Sequence, residues 1–121
     1  MGASERGSAV VEFAFVVPLL LVLMFGIVEV AVVARSEIQL LHAAREGARA
    51  AAASPDASVA ANAARSALGP QGADARISVV RPAQVGSKAT VTISLRHSVA
   101  APLFGGFPVD LGATASMRVE R

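Results

Sequence analysis

Between Phe13 and Ala34 the chain carries a single charged residue, Glu29, in an otherwise uncharged and mostly apolar run. The hydrocarbon core of a bilayer takes about 20 helical residues, and this run has that length. It constrains the fold more than any other feature. A helix of this composition must leave water or be covered, and 121 residues supply only one small domain to cover it. A secretory signal peptide is the competing reading. Its apolar region is usually about 7–15 residues and ends at a small-residue cleavage site, whereas this run passes into more helical pattern without a break. The segment therefore predicts a retained transmembrane helix. Pro18 and Gly26 lie inside it. A proline that would cost a soluble helix about 3 kcal/mol is tolerated in a membrane helix, where neighbouring groups satisfy the freed carbonyl.

The helical pattern continues through RSEIQLLHAAREGARAAAAS, Arg35 to Ser54. Ile38, Leu41, Ala44 and Ala48 recur at three- and four-residue steps and predict one apolar face. The small residues Ala44, Gly47, Ala48 and Ala51 would let another helix approach closely. Composition favours such packing: 26 residues are alanine, and aromatics make up only 4%. A helix from about Ser8 to Ala53 would be about 70 Å long, so its second half must project from the membrane. Ser54-Pro55-Asp56 reads as a stop and a restart, with Ser54 as N-cap and Pro55 in the first helical position. A second helix then runs to about Leu68, with an apolar face of Val59, Ala60, Ala63, Ala67 and Leu68, and Gly69-Pro70 ends it.

Beyond Asp74 the period becomes two. Arg76–Val80, Ala89–His97 and Val109–Glu120 each alternate, with Val91, Ile93 and Leu95 opposite Thr90, Thr92, Ser94 and Arg96. One apolar and one polar face predict a three-stranded antiparallel sheet covered on one side, the cover being the projecting helix and the second helix. RPAQVGSK suits a hairpin connection. Ser98–Val109 reads as a glycine- and proline-rich loop, FGGF as a turn, and Phe104 and Phe107 as lids on the small core. The predicted class is α+β.

The remaining features exclude more than they assign. There is no cysteine, hence no disulfide framework and no thiolate metal site. The formal charge is +2, from scattered arginines and one lysine, which gives no nucleic-acid surface. Neither His42 and His97 nor Asp56, Asp74 and Asp110 form a nucleophile–base pair or a metal set, so no enzyme activity, metal or cofactor is expected. Arg6 precedes the apolar run, and Arg35, Arg45 and Arg49 follow it. A count of nearby positive charges would place the C-terminal side in the cytoplasm, whereas the capped domain with polar strand faces reads as exported. Glu29 lies near the far end of the apolar run, where the outer interface is its natural place.

The segment Gly7-Ser8-Ala9-Val10-Val11-Glu12-Phe13 places a glutamate five residues after a glycine, directly before the apolar helix. This resembles a type IV prepilin signal. More widely, ERGSAVVEFAFVVPLLLVLMFGIVEV, then AAREGAR, and the tail LGATASMRVE are similar to the TadE-like family of the Tad (tight adherence) pilus system. The resemblance implies a pilin-like fold and a minor pilin or pseudopilin that assists assembly of a thin Flp-type adhesive pilus. It implies cleavage by a prepilin peptidase between Gly7 and Ser8, and partners among other pilin subunits, the Tad inner-membrane assembly platform and membrane lipid. It also implies subunit pairing through Glu12 and Phe13, the latter standing where the major Flp pilins carry tyrosine. The expected organisation is a leader at 1–7, a transmembrane helix at 8–34, its extramembrane continuation at 35–53, and an extracytoplasmic α+β domain at 54–121. The alternative is an unprocessed single-pass anchor whose outer domain binds an envelope or secretion-assembly partner.

Overall fold

The computed structural model describes residues 2–101 and 105–120. Helix α1 spans Gly2–Ala53 and helix α2 spans Ala57–Leu68; a 3-10 turn at Gly69–Ala73 leads into strands β1 (Arg76–Val80), β2 (Lys88–Ala101) and β3 (Gly105–Arg118). The strands form one antiparallel sheet in the order β1-β2-β3. This is the α+β arrangement expected from the sequence.

With 52 residues, α1 is about 78 Å long at 1.5 Å per residue. Pro18 lies within it and offers no N–H to the carbonyl one turn earlier. Among the described residues, none before Ser36 is buried. The last third of α1 supplies the packing face, through Leu40, Ala43, Ala44, Gly47, Ala48 and Ala51. That face keeps Ala44 and Ala48 of the expected one but is rotated away from Ile38, 59% exposed, and Leu41, 36% exposed. The reason is steric. A sheet and a second helix both approach this face, and small side chains admit them where a stripe of isoleucine and leucine would hold them off.

Gly47 marks the closest approach. A Cβ there would lie 3.0 Å from the Ala64 Cβ, 3.1 Å from Val91 Cγ1 and 3.3 Å from the Ala60 carbonyl oxygen. Helix α2 buries Ala60, Ala64 and Leu68 against this seam, while Val59 is 44% exposed. The buried stripe thus steps by four residues, one straight row along the helix, rather than the wider face read from the sequence. Its N-cap is Asp56, not Ser54. The Asp56 carboxylate accepts a bond from the Ser58 N–H at 2.9 Å, and the Ser54 hydroxyl instead accepts from the Asp56 N–H at 3.3 Å. An aspartate two residues before an N–H reaches it directly, which leaves Pro55 outside the helix. Gly69, at φ 64, ends α2 in a conformation that side chains resist.

The exposed carbonyls at the end of α1 are closed by three separate segments. Ser54 N–H donates to Ala50 O at 2.9 Å, Arg81 Nε to Ala51 O at 2.7 Å, and Glu120 N–H to Ala52 O at 3.0 Å. The last turn of α1 has no basic residue of its own, and Arg81 brings the cation that a helix C-terminus favours.

The sheet alternates as expected. Ala89, Val91, Ile93 and Leu95 are buried on β2, and Leu111 on β3. Register is set by Ile77 opposite Ile93, Ile93 opposite Ala113 and Leu95 opposite Leu111. On the outer face the Thr90 and Ser116 hydroxyls lie 3.0 Å apart, and the Thr114 hydroxyl donates to Thr92 at 3.3 Å. Such cross-strand pairs favour one register. The Arg96–Asp110 ion pair, at 3.4 Å with side chains 75% and 80% exposed, contributes little to stability.

A further expectation is overturned. Ser98–Ala101 and Gly105–Pro108 are not loop but the extended ends of β2 and β3, paired as far as Ala101 opposite Gly105. The glycines and Pro108 concealed the alternation; β3 is an edge strand, where a proline is tolerated. Phe107 is 54% exposed on this extension. Phe104, the other expected lid, lies outside the described residues.

Candidate functional site

The residues singled out at the N-terminus lie on one uninterrupted helix. Gly7, Ser8, Glu12 and Phe13 are all exposed turns of α1, and a Cβ at Gly7 would meet nothing within 4 Å. The Ser8 hydroxyl donates to Glu12 Oε1 at 3.4 Å, a long bond between residues one turn apart. The carboxylate therefore lies one turn beyond the residue that cleavage after Gly7 would make the new N-terminus. Around it Val10, Val11 and Phe13 are 67%, 55% and 67% exposed. The region consists of one isolated carboxylate on a bare apolar rod.

Ala44, Gly47, Ala48 and Ala51 sit elsewhere. All four are buried in the head, against α2 and the sheet. The structure thus separates the two groups by about 32 residues along one helix, or close to 50 Å.

The region of α1 between these groups was not marked in the sequence as a contact surface. The far ends of β2 and β3 lie along it. A cleft of about 580 Å³ is lined by Val22, Phe25, Glu29 and Val33 on the helix and by Val99, Phe107 and Val109 on the hairpin, among others. Glu29 is half-buried there. The hairpin's uncharged composition was the available signal, and its reading as a loop hid it.

Little else in the head carries chemistry. His97 Nε2 and Gln71 Oε1 are buried without a hydrogen-bond partner, and they belong to separate elements. Among the described residues no group of three or more histidine, cysteine or acidic side chains could hold a metal. The Asp56 carboxyl is held below its ordinary value by the Ser58 hydroxyl and then by the Ser58 N–H, which is the electrostatic expression of the N-cap.

Among the described residues one helix, α1, is long and apolar enough to cross a membrane, and no residue of its apolar window is buried within the protein. This geometry suggests a single-pass membrane anchor carrying a small α+β head. The model of the family described as TadE-like protein matches residues 7–49. The match covers the glycine–glutamate segment, the apolar helix and AAREGAR, and so bears out the family resemblance over the part of the chain where it is strongest. That family is a structural, Tad pilus-associated minor pilin family. No curated protein and no solved structure matches the chain.

Proposed function

We propose that this protein is a minor pilin or pseudopilin of a Tad/Flp-type pilus, cut by a prepilin peptidase between Gly7 and Ser8 and anchored with its head outside the cytoplasm. The observation that carries this reading is Glu12: a lone carboxylate at the start of an uncovered apolar helix, one turn beyond Ser8, inside the segment that matches the TadE-like family. When apolar helices pack side by side away from water, an unpaired carboxylate costs several kcal/mol. The new ammonium on Ser8 of a neighbouring subunit neutralises it, and the requirement for that pairing fixes the axial stagger between subunits. Phe13, exposed one residue further on, packs in the same contact. The other partners on this reading are further pilin subunits and the Tad inner-membrane assembly platform.

The test is Glu12→Gln in cells with an active prepilin peptidase, read alongside the unsubstituted protein. Intact mass of the membrane-extracted wild type should show loss of residues 1–7, and a C-terminal phosphatase fusion should be active. The Glu12→Gln protein should insert and fold its head, because among the described residues none before Ser36 is buried, yet it should lose co-purification with other pilin subunits and reduce piliation. Its cleavage is measured separately, since the peptidase can also read this position. A variant that is cleaved, stable and fully competent in piliation would reduce Glu12 to a solvated edge carboxylate. Recovery of only the uncut wild-type chain would favour the static anchor.

A further inference from the structure

The far half of the β2–β3 hairpin runs past the core and lies against the part of α1 that is apolar enough to be in a membrane. Val99, Phe107 and Val109 line the cleft opposite Val22, Phe25 and Val33. From Val22 to Ala34 is about 18 Å along the helix axis, so the hairpin tip runs beside roughly the last half of the apolar run that begins at Phe13. Composition changes at the same place. Residues 98–109 include no charged side chain, and the exposed Arg96–Asp110 ion pair closes that stretch on both strands. Among the described residues of the tip, Phe107 is 54% exposed.

We propose that the described ends of β2 and β3 at the hairpin tip, Ser98–Ala101 and Gly105–Val109, are a second membrane contact: they enter the leaflet on the head's side, next to the helix, and lipid fills the cleft. The inference rests on the reading of α1 as a membrane anchor and is independent of any role in a pilus. The occupant follows from continuity. The tip's apolar surface adjoins an apolar helix that already faces lipid, at the same level along its axis. Two carboxylates line the cleft, Glu29, half-buried beside the tip, and Glu37 two turns nearer the head; both lie on the head's side of Val22, where they can reach the headgroups.

Backbone chemistry limits the depth. β3 is an edge strand, and β1 pairs with β2 only over Thr90–Ser94. Both outer edges of the tip therefore have unpaired backbone groups, which the hydrocarbon core does not accept. The tip consequently lies at the boundary of headgroups and acyl chains, about 5–10 Å deep, as interfacial elements do. Val22 is seven residues before Glu29, about 10 Å along the helix, so a headgroup-level Glu29 and a tip at that depth are mutually consistent.

The chain contains no Trp and no Tyr, so a single introduced tryptophan is the only strong fluorophore. Four variants of the full chain are reconstituted in phosphatidylcholine vesicles, with lipids brominated near the headgroup or near the acyl terminus as quenchers. Phe107→Trp and Ala100→Trp probe the two strands of the tip. Phe15→Trp probes the helix, and Val80→Trp probes the exposed far end of the sheet; circular dichroism checks the fold of each. Using two tip positions keeps the test valid if one fails to fold. The expected result is strong loss of tip emission with headgroup-proximal bromine, a smaller loss with terminal bromine, quenching of Phe15→Trp, and none of Val80→Trp. If Phe15→Trp is quenched while both tip variants behave like Val80→Trp, the tip is in water and the inference is overturned. Blue-shifted tip emission that neither lipid quenches, and that varies with the protein-to-lipid ratio, would also overturn it, assigning the cleft to a second copy of the chain. An unquenched Phe15→Trp would refute the anchor itself and the tip contact with it.

Discussion

Gly47 is where one methyl group should decide whether the head packs. Replacing an interior helix glycine with alanine ordinarily gains about 1 kcal/mol. At Gly47 the new methyl would meet the Ala64 Cβ at 3.0 Å, Val91 Cγ1 at 3.1 Å and the Ala60 oxygen at 3.3 Å. Two of these three belong to α2, a short helix held at one end by the Asp56 cap and at the other by Gly69, so it cannot easily retreat. Forcing a methyl into a filled interior costs about 1–3 kcal/mol. The balance predicts that Gly47→Ala destabilises the head by about 0–2 kcal/mol and Gly47→Val by more. Gly26→Ala on the same helix, with nothing within 4 Å of its Cβ, should cause no loss. Hydrogen exchange of α2 and β2 amides in the detergent-solubilised full chain is the suitable assay, because it reports opening of the head without the signal of the detergent-held helix. A double-mutant cycle sharpens it. Ala64→Gly removes the nearest contact, so Gly47→Ala and Ala64→Gly should be coupled favourably by about 0.5–2 kcal/mol. Stabilisation by Gly47→Ala equal to the full helix gain, with no coupling in the cycle, would refute the claim that this seam is closed at glycine distance.

Arg81→Met should lower protection of the last turn of α1 by about 1–2 kcal/mol, because the guanidinium both bonds the Ala51 carbonyl and places positive charge at the helix C-terminus; unchanged exchange at Ala51–Ser54 would argue against it. Asp56 gives a pH dependence with a definite sign. Its folded pKa is lowered, so its contribution is complete above the ordinary aspartate value and is lost as pH falls through the lowered one. Asp56→Asn should flatten that acid limb in exchange of the α2 amides, and an unaltered limb would contradict the cap.

How far each element was legible follows from how strongly its side chains report their surroundings. The membrane-length helix and the alternating strand centres, Val91-Thr92-Ile93 above all, were plain, since large apolar and polar residues alternate there with the period of the structure. The packing face of α1 was legible in its small residues only. Ala44, Gly47, Ala48 and Ala51 read as a close-approach stripe and are buried, but Ile38 and Leu41, read onto the same face, point outward, because alanine has no large side chain to mark a meridian. The hairpin ends failed for a related reason. Gly105, Gly106 and Pro108 are loop residues by propensity, and only the pairing with Ser98–Ala101 holds them extended. At the N-terminus the Gly7–Glu12 spacing was legible, but that Ser8 and Glu12 share one exposed face beside no other part of the chain depended on the helix continuing through residues 2–8.

The distribution of side-chain size along α1 separates folding from assembly. In a soluble amphipathic helix the large apolar residues face the core. Here the core-facing positions from Ala43 to Ala52 are alanine and glycine, Leu40 is the one large apolar side chain of α1 that is buried among the described residues, and most other large apolar residues stand exposed from Val10 to Leu41. The head is consequently stabilised by close backbone approach around Gly47, which needs only the last third of the helix. The first two thirds owe the head almost nothing except the cleft beside the hairpin tip. Changes at Glu12 and Phe13 are therefore free to alter what the helix packs against without unfolding the domain it carries, while changes at Gly47 or Ala64 should alter the stability of the domain and leave the anchor in place. A long helix serves both purposes because its two ends are made of different residues: large ones where lipid or other helices must be met, and small ones where the chain must meet itself.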